Sequence, residues 1–237
     1  MKPTLLITTL FSCLAIGSQA ATVIPITDVF GHNEGSNYAG TITDMINGSG
    51  MNGYGVDGNV GWPTGEGLPG TWSATSTNYG AEWQSKALLS GATNSKIAWT
   101  VFDLGSVTAD LDELYIWHIR ENSGRVATNF NVYVASAPTV TVPHGPTNST
   151  TTDYDFSSGG WTTIATGVTG TYQGTSLIDL GLNDARYVAL EVITNGGDGS
   201  RTGFAEVGIT AADPIPEPSA ALLGGIGALV LLRRRKH

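Results

Sequence analysis

Three runs with the composition and alternation of β-strands follow one another in the middle of the chain, at residues 97–103, 113–119 and 128–135. Alternation of apolar and polar residues, with many β-branched and aromatic side chains, is typical of strands that bury one face. Turn-forming and polar residues separate the runs, which predicts reversals of the chain. The pattern therefore predicts an antiparallel sheet built around this central stretch.

Weaker strand patterns lie on both sides of this stretch. Residues 22–29 have the pattern of a first strand, and Pro25 favours an edge position because proline lacks a backbone donor. Residues 138–160 are rich in Thr, Pro, Ser and Gly, which predicts a long exposed loop. Many short strands without a long helix predict an all-β fold, a jelly roll or other β-sandwich, over residues 21–211. The further strands are predicted at residues 161–167, 176–179, 186–193 and 204–210.

One basic residue needs a partner in such a fold. Arg186 opens the strongly apolar strand predicted at residues 186–193. Because an unpaired charge is costly to bury, its guanidinium requires a carboxylate near the end of the sheet. Asp103, which ends the first of the central strands, is the candidate.

Composition agrees with this fold and excludes one class of partner. Charged residues make up only 13% of the chain and there are 32 glycines, which disfavours long solvated helices. Residues 3–216 contain six basic and nineteen acidic residues. Such an acidic body repels nucleic acid and anionic membranes, and it fits a soluble secreted protein or a cation binder. The only cysteine is Cys13, so the body has no disulfide.

The N-terminus has the pattern of a secretory signal peptide over Met1–Ala20. Lys2 supplies the positive charge, and residues 5–16 supply the apolar segment. We therefore predict export and cleavage before Ala21. The alternative is a lipoprotein in which Cys13 is acylated.

Residues 212–237 combine three features in order: a Pro-Glu-Pro motif, an apolar segment at residues 220–232 and a basic cluster. The motif and basic residues are Pro216, Glu217, Pro218, Arg233, Arg234 and Arg235. This order resembles the PEP-CTERM sorting signal of Gram-negative bacteria. The resemblance implies a short hydrophobic helix held transiently in the inner membrane, processing by an exosortase, and delivery to the cell surface or extracellular matrix. The alternative is an ordinary C-terminal anchor that is not processed.

Eight short segments within residues 41–210 follow one another in a specific order. They are residues 45–48, 56–59, 71–73, 99–105, 114–117, 130–135, 185–188 and 205–207. Their order resembles the discoidin, or coagulation factor 5/8 type C, domain of the galactose-binding-like superfamily. The resemblance implies a jelly-roll β-sandwich whose end loops bind glycans or, in some members, lipid headgroups. Many bacterial members are carbohydrate-binding modules.

The same resemblance implies a calcium site. Bacterial members of the family often hold a structural Ca²⁺ between an early Asp-Gly loop and the glutamate of the last strand, and Asp57 and Glu206 match these positions. Calcium takes several oxygen ligands, and the glycine-rich residues 52–59 offer backbone carbonyls. The alternative is that Asp57 only sets a turn and Glu206 faces solvent.

Polar residues after the second central strand form the candidate ligand surface. His118, Arg120 and Arg125 lie in or beside a loop at the end of that strand, where a sandwich presents ligands. Trp62, in a Gly/Pro-rich loop, offers an aromatic platform for a sugar ring. Alternatives remain open: His118 shares a strand face with apolar residues, Trp62 is as readily buried, and Arg125 pairs with a loop carboxylate.

Enzyme signatures are absent from the sequence. The chain has no His-Glu-x-x-His, no Gly-x-Ser-x-Gly, no phosphate-binding loop and no cysteine nucleophile in its body. We therefore predict a non-enzymatic module that binds extracellular polysaccharide or another glycan. The alternatives are a structural matrix protein without a ligand pocket and, less favoured, a glycoside hydrolase, whose carboxylate pair is defined only in space.

Overall fold

The parts of the chain described by the computed structural model all belong to one unit, Ala21–Asp213. They are residues 21–31, 42–48, 51–52, 73–74, 77, 81–86, 98–139, 154–199 and 201–212. The predicted signal peptide and sorting signal lie outside these residues. No helix in the described part is both long and apolar enough to cross a membrane.

Ten strands occur in the described residues, and every pairing between them is antiparallel. Short 3₁₀ helices occupy Ile42–Ile46 and Ser123–Arg125. The predicted all-β fold class is confirmed. The strands are β1 (Ala21–Ile24), β2 (Asp28–Gly31), β3 (Met51–Asn52), β4 (Ser73–Ala74), β5 (Trp83–Lys86), β6 (Ala98–His118), β7 (Ala127–Ala135), β8 (Thr162–Val168), β9 (Thr175–Asn195) and β10 (Arg201–Ala212).

Two long strands, β6 and β9, pass through both layers of the fold, and each has 21 residues. In the first half of β6, Val101 pairs with Phe30 of β2 and Ala189 of β9. In the second half, Ile116 pairs with Val207 of β10. Layer I thus contains β2, β7, β8 and one half of each long strand, and layer II contains β1, β5, β10 and the other halves. Register shifts mark the bend between the halves of β6, in a segment predicted to be a turn.

The two layers enclose one hydrophobic core. A single cluster of buried side chains includes Val132 and Leu190 of layer I together with Ile116 and Val207 of layer II. Phe130 of β7 and Phe204 of β10 meet edge to face, with ring centroids 5.5 Å apart. The alternation seen in the sequence therefore produces a β-sandwich, because β6, β7, β9 and β10 direct apolar side chains between the layers.

Other sequence predictions also differ from the fold. The strand predicted at residues 22–29 is divided into β1 and β2, because the chain passes from layer II to layer I near Pro25. In the loop predicted at residues 138–160, Tyr154 and Phe156 are buried instead of exposed. Their rings pack against Trp99, at 5.4 Å and 6.2 Å between centroids, and so cover the outer face of layer I.

The predicted partner of Arg186 is confirmed. Its Nε and Nη2 each donate a hydrogen bond of 2.8 Å to the carboxylate of Asp103. The backbone N–H of Gly105 donates to the same carboxylate at 2.7 Å. This bidentate ion pair joins β6 to β9 at the bend between the layers.

Several connections between strands lie at the opposite end of the sandwich. Strands of both layers finish there, as the pairs His118–Phe204 and Ala127–Asn195 indicate. We call this region the loop end. It comprises residues 119–126 between β6 and β7, residues 169–174 before β9, residues 196–199 after β9, and the start of β5.

Candidate functional site

Arg125 forms hydrogen bonds to three segments of the loop end. Its Nη1 donates to Oε1 of Gln84 at 2.9 Å and to Oε2 of Glu121 at 2.7 Å. Its Nε donates to Oδ2 of Asp198 at 2.8 Å. Arg125 thus pairs with a loop carboxylate, as the alternative interpretation of the sequence expected, and it links β5, the β6–β7 loop and the β9–β10 turn.

A short capped turn shapes the β6–β7 loop. The side chain of Asn122 accepts a hydrogen bond of 2.8 Å from the backbone N–H of Gly124, at the start of the 3₁₀ helix Ser123–Arg125. The carbonyl of Gly124 accepts a bond of 2.9 Å from the N–H of Asp198. Asparagine favours such side-chain-to-backbone bonds, so the local sequence fixes the loop against the β9–β10 turn.

Arg120 is a second residue of the loop end with several hydrogen bonds, and we call this group of bonds the Arg120 hub. Its carbonyl accepts hydrogen bonds from the Tyr172 hydroxyl at 2.8 Å and from Nε2 of Gln173 at 3.3 Å. Its Nη1 donates to the carbonyl of Gln173 at 3.2 Å. The buried Nε of Arg120 has no hydrogen-bond partner among the described residues. Arg120 therefore fixes the turn that precedes β9.

Tyr172 is the exposed aromatic residue of the loop end, with 39% of its surface accessible. The other large exposed apolar side chains of the described region are aliphatic. Tyr172 is not among the ligand residues predicted from the sequence. Its signal is an aromatic residue between Gly170 and Gly174 in a short polar turn, a place where a core position is not expected.

His118 lies in the core rather than on the loop surface, with 1% of its surface accessible. Its ring packs between Phe130 and Phe204, at 5.9 Å and 6.0 Å, and its Nε2 lies 2.7 Å from Oγ of Ser176. Burial lowers the pKa of His118 to about 4, so the ring is neutral near neutral pH. A Cβ on Gly170 would lie 2.6 Å from this ring, which leaves no room for a ligand on that side.

The alternation around His118 was ambiguous because both faces of β6 are covered. Leu114 and Ile116 belong to the core between the layers. Tyr115 and Trp117 belong to a second buried cluster on the outer face of layer II, which also contains Met51 of β3. A strand buried on both faces gives no period-2 signal that separates core from surface.

Glu82 is a buried carboxylate that is not among the residues predicted from the sequence. It precedes β5, has 1% of its surface accessible, and accepts a hydrogen bond of 2.7 Å from the N–H of Arg120. Burial raises its pKa to about 7, and hydrogen bonds from the backbone of Arg120 and Glu121 oppose this. The backbones of β5 and β10 lie very close together here. A Cβ atom added to Gly203 of β10 would be only 1.9 Å from the carbonyl oxygen of Trp83 in β5.

Glu206 on β10 is fully buried, so the alternative that it faces solvent is wrong. Its Oε1 accepts a hydrogen bond of 3.2 Å from the N–H of Gly48, and its Oε2 has no partner among the described residues. Burial raises its pKa well above the usual value, and the charge of Asp44 adds to this. A buried carboxylate with one oxygen unused is a donor of the kind that Ca²⁺ takes.

The other predicted site residues fall outside the described part of the chain. These are Trp62, Asp57 and the residues of the sorting signal. Within the described part, no group of three or more His, Cys, Asp and Glu side chains is arranged to hold a metal ion. The loop end therefore contains two of the predicted ligand residues, Arg120 and Arg125, but not the side chain of His118.

Comparisons with protein-family models and with curated protein sequences give no match. Similar solved structures include chitosan-binding module 1 of a Paenibacillus sp. IK-5 chitosanase/glucanase, with 14% identity, a TM-score of 0.41, and coverage of 78% of this chain and 96% of that chain. The family 32 carbohydrate-binding module of Clostridium perfringens NanJ, in complex with galactose, has 14% identity, a TM-score of 0.45, and coverage of 81% and 99%. A C. perfringens module in complex with GalNAc-β-1,3-galactose has 11% identity, a TM-score of 0.46, and coverage of 79% and 98%.

Proposed function

We propose that this protein is a carbohydrate-binding module whose ligand surface is the loop end. The observation that carries the proposal is the exposed Tyr172 ring beside the Arg120 hub and the Gln173 side chain. Aromatic rings stack on the apolar faces of sugars, and planar amide and guanidinium groups hydrogen-bond their hydroxyls. The discoidin-like resemblance of the sequence supports the same use of the end loops.

The fixed geometry of the loop end favours binding of a rigid ligand. The Tyr172 hydroxyl and the side-chain Nε2 of Gln173 donate to the carbonyl of Arg120, and the backbone carbonyl of Gln173 accepts from the Arg120 side chain. Arg125 fixes the neighbouring loop with two ion pairs, to Glu121 and Asp198. A preorganised surface loses less conformational entropy on binding, and this raises affinity without additional contacts.

Replacing Tyr172 with alanine is expected to weaken glycan binding about tenfold or more, because stacking supplies on the order of 1–2 kcal/mol. The measurement is a glycan array of galactose-, GalNAc- and glucosamine-containing oligosaccharides, followed by calorimetry on the strongest hit. Leu177→Ala removes an exposed residue of β9 outside the loop end and is the matched control, with unchanged binding.

Two results would decide against the proposal. If the wild-type protein binds no glycan on the array, the result favours the alternative of a structural matrix protein without a ligand pocket. If Tyr172→Ala binds as tightly as wild type while Leu177→Ala is also unchanged, the ligand surface lies elsewhere.

We also propose that Glu206 is a ligand of a structural Ca²⁺, with Asp57 as the second acidic ligand. The buried, unused Oε2 of Glu206 supports this, because a cation would neutralise its charge where water does not reach. The nearby backbone of Gly48 and the side chain of Asp44 belong to the segment that faces Glu206. The ion would then serve to fix the early loops against β10.

We further propose that the chain is exported and sorted to the cell surface through an exosortase. The signal-peptide pattern over Met1–Ala20 and the Pro-Glu-Pro motif at residues 216–218 support this route. Mass spectrometry of the mature protein should find the N-terminus at Ala21 and the C-terminus near the Pro-Glu-Pro motif. Retention of residues 220–237 would identify an unprocessed anchor instead.

A further inference from the structure

A continuous chain of hydrogen bonds leads from the buried Glu82 to the exposed Tyr172. Glu82 accepts from the N–H of Arg120 at 2.7 Å, and the carbonyl of the same residue accepts from the Tyr172 hydroxyl at 2.8 Å. Gln173 joins through its carbonyl, which accepts from Nη1 of Arg120 at 3.2 Å. Displacement of the Arg120 backbone therefore moves the surface on which the proposed ligand stacks.

The environment of Glu82 makes this chain sensitive to its charge. Its Oε2 is buried and has no hydrogen-bond partner among the described residues. The nearby charges are those of Arg120, which favours the ionised form, and Glu121, which opposes it. Arg125 and Asp198 join the same network through Glu121. The elements packed against β5 carry the further charged residues Asp44, Arg201 and Glu206.

We propose that Glu82 is a positioning residue that holds the backbone of Arg120, and that loss of its proton tightens the Tyr172–Gln173 turn. An ionised carboxylate accepts a backbone hydrogen bond more strongly than a neutral acid does. The ionised form therefore fixes Arg120 more firmly and preorganises the turn. Because burial brings the pKa of Glu82 to about 7, this change takes place near neutral pH. The consequence for ligand binding rests on the proposed function, whereas the coupling within the protein does not.

The coupling is tested without a ligand, by following the amide ¹H–¹⁵N signals of Arg120 and Gln173 in the full mature domain from about pH 5.5 to about pH 8.5. In the wild-type protein both signals should titrate together with a midpoint near pH 7. In Glu82→Gln, which keeps an acceptor for Arg120 but has no proton to lose, this titration should vanish. Persistence of the same midpoint in Glu82→Gln would overturn the proposal, and so would the lack of a midpoint near neutrality in the wild type.

Glu121→Gln is the matched control, because it removes a charge from the same loop without touching the Arg120 N–H. Its Arg120 and Gln173 signals should still titrate near neutrality. Loss of the titration in this variant would move the effect from Glu82 to the network around Arg125 and would contradict the assignment. If Glu82 had only a structural role, Glu82→Gln would change the melting temperature but would leave the pH midpoints of the Arg120 and Gln173 amide signals unchanged.

Binding of the array oligosaccharides supplies the second readout. Wild-type affinity should increase about fivefold from pH 6 to pH 8, as expected for the difference between a charged and a neutral hydrogen-bond acceptor. Glu82→Gln should show the weaker affinity at both pH values. If no oligosaccharide binds to any variant, the proposed function fails, while the amide titration still decides on the role of Glu82.

Discussion

Replacing Phe204 with alanine is expected to lower the free energy of unfolding by about 3–5 kcal/mol, the usual cost of removing a large aromatic side chain from a core. Phe204 is fully buried on β10. Its ring contacts Phe130 of layer I at 5.5 Å and stacks on Trp83 of β5 at 6.2 Å. The substitution thus leaves a cavity at the junction of both layers and β5. Urea unfolding, extrapolated linearly to water, measures the loss.

The same measurement has two controls. Leu177→Ala removes an aliphatic side chain that is 56% exposed, and it should cost less than about 1 kcal/mol. The double variant Phe130→Ala/Phe204→Ala should lose less than the sum of the single losses, because the two rings contact each other. Full additivity, or a loss below about 1 kcal/mol for Phe204→Ala, would contradict a core shared by the two layers.

Most strand segments could be predicted from the sequence because their signals are local. Val132 and Val134 alternate with polar or outward residues, and both are buried in the core as expected. The partner of Arg186 was also predictable, since a charge at the start of an apolar strand has few acidic candidates at the ends of the other strands. The bend of β6 was not predictable. Gly105 and the polar residues after it are typical of a turn, and only the pairing with β9 and β10 shows that the strand continues beyond them.

The site was less predictable because it depends on contacts between distant segments. Arg120 and Arg125 were identified from one loop, but their partners Glu82, Gln84 and Asp198 come from two other connections. No spacing in the sequence indicates these contacts.

For His118 the sequence left a core position and a ligand position both open. The structure has a buried neutral histidine whose Nε2 lies within hydrogen-bond distance of Ser176 Oγ, and this satisfies the same sequence. A polar residue near a strand end is therefore weak evidence for a ligand site. Exposure, which identified Tyr172, is the stronger evidence and requires the structure.

Without calcium, burial of Glu206 is expected to destabilise the folded protein increasingly as the pH rises above about 4.5. The lowered pKa of the buried His118 acts in the opposite direction between about pH 4 and about pH 6.5. The folded state raises the pKa of this carboxyl by burying it, so folding takes up a proton that the unfolded chain has released. The resulting stabilisation is fully present below the unfolded-state pKa and is lost as the pH approaches the folded-state value. Glu206→Gln has no proton to release, so the free energy of unfolding of the wild type should fall relative to that of this variant as the pH rises.

Calcium should reverse this loss in the wild type only. A cation beside Glu206 neutralises the buried charge, and at a concentration about 100 times its Kd it would add about 2.7 kcal/mol to the stability. The measurement is urea unfolding of both proteins at about pH 5 and about pH 8, in EDTA and in excess calcium. Glu82 and His118 titrate in both proteins, so their contributions cancel in the difference between them. Equal stabilisation of Glu206→Gln by calcium would place the ion elsewhere, and a wild type indifferent to calcium would leave Glu206 as a buried, protonated acid at the centre of β10.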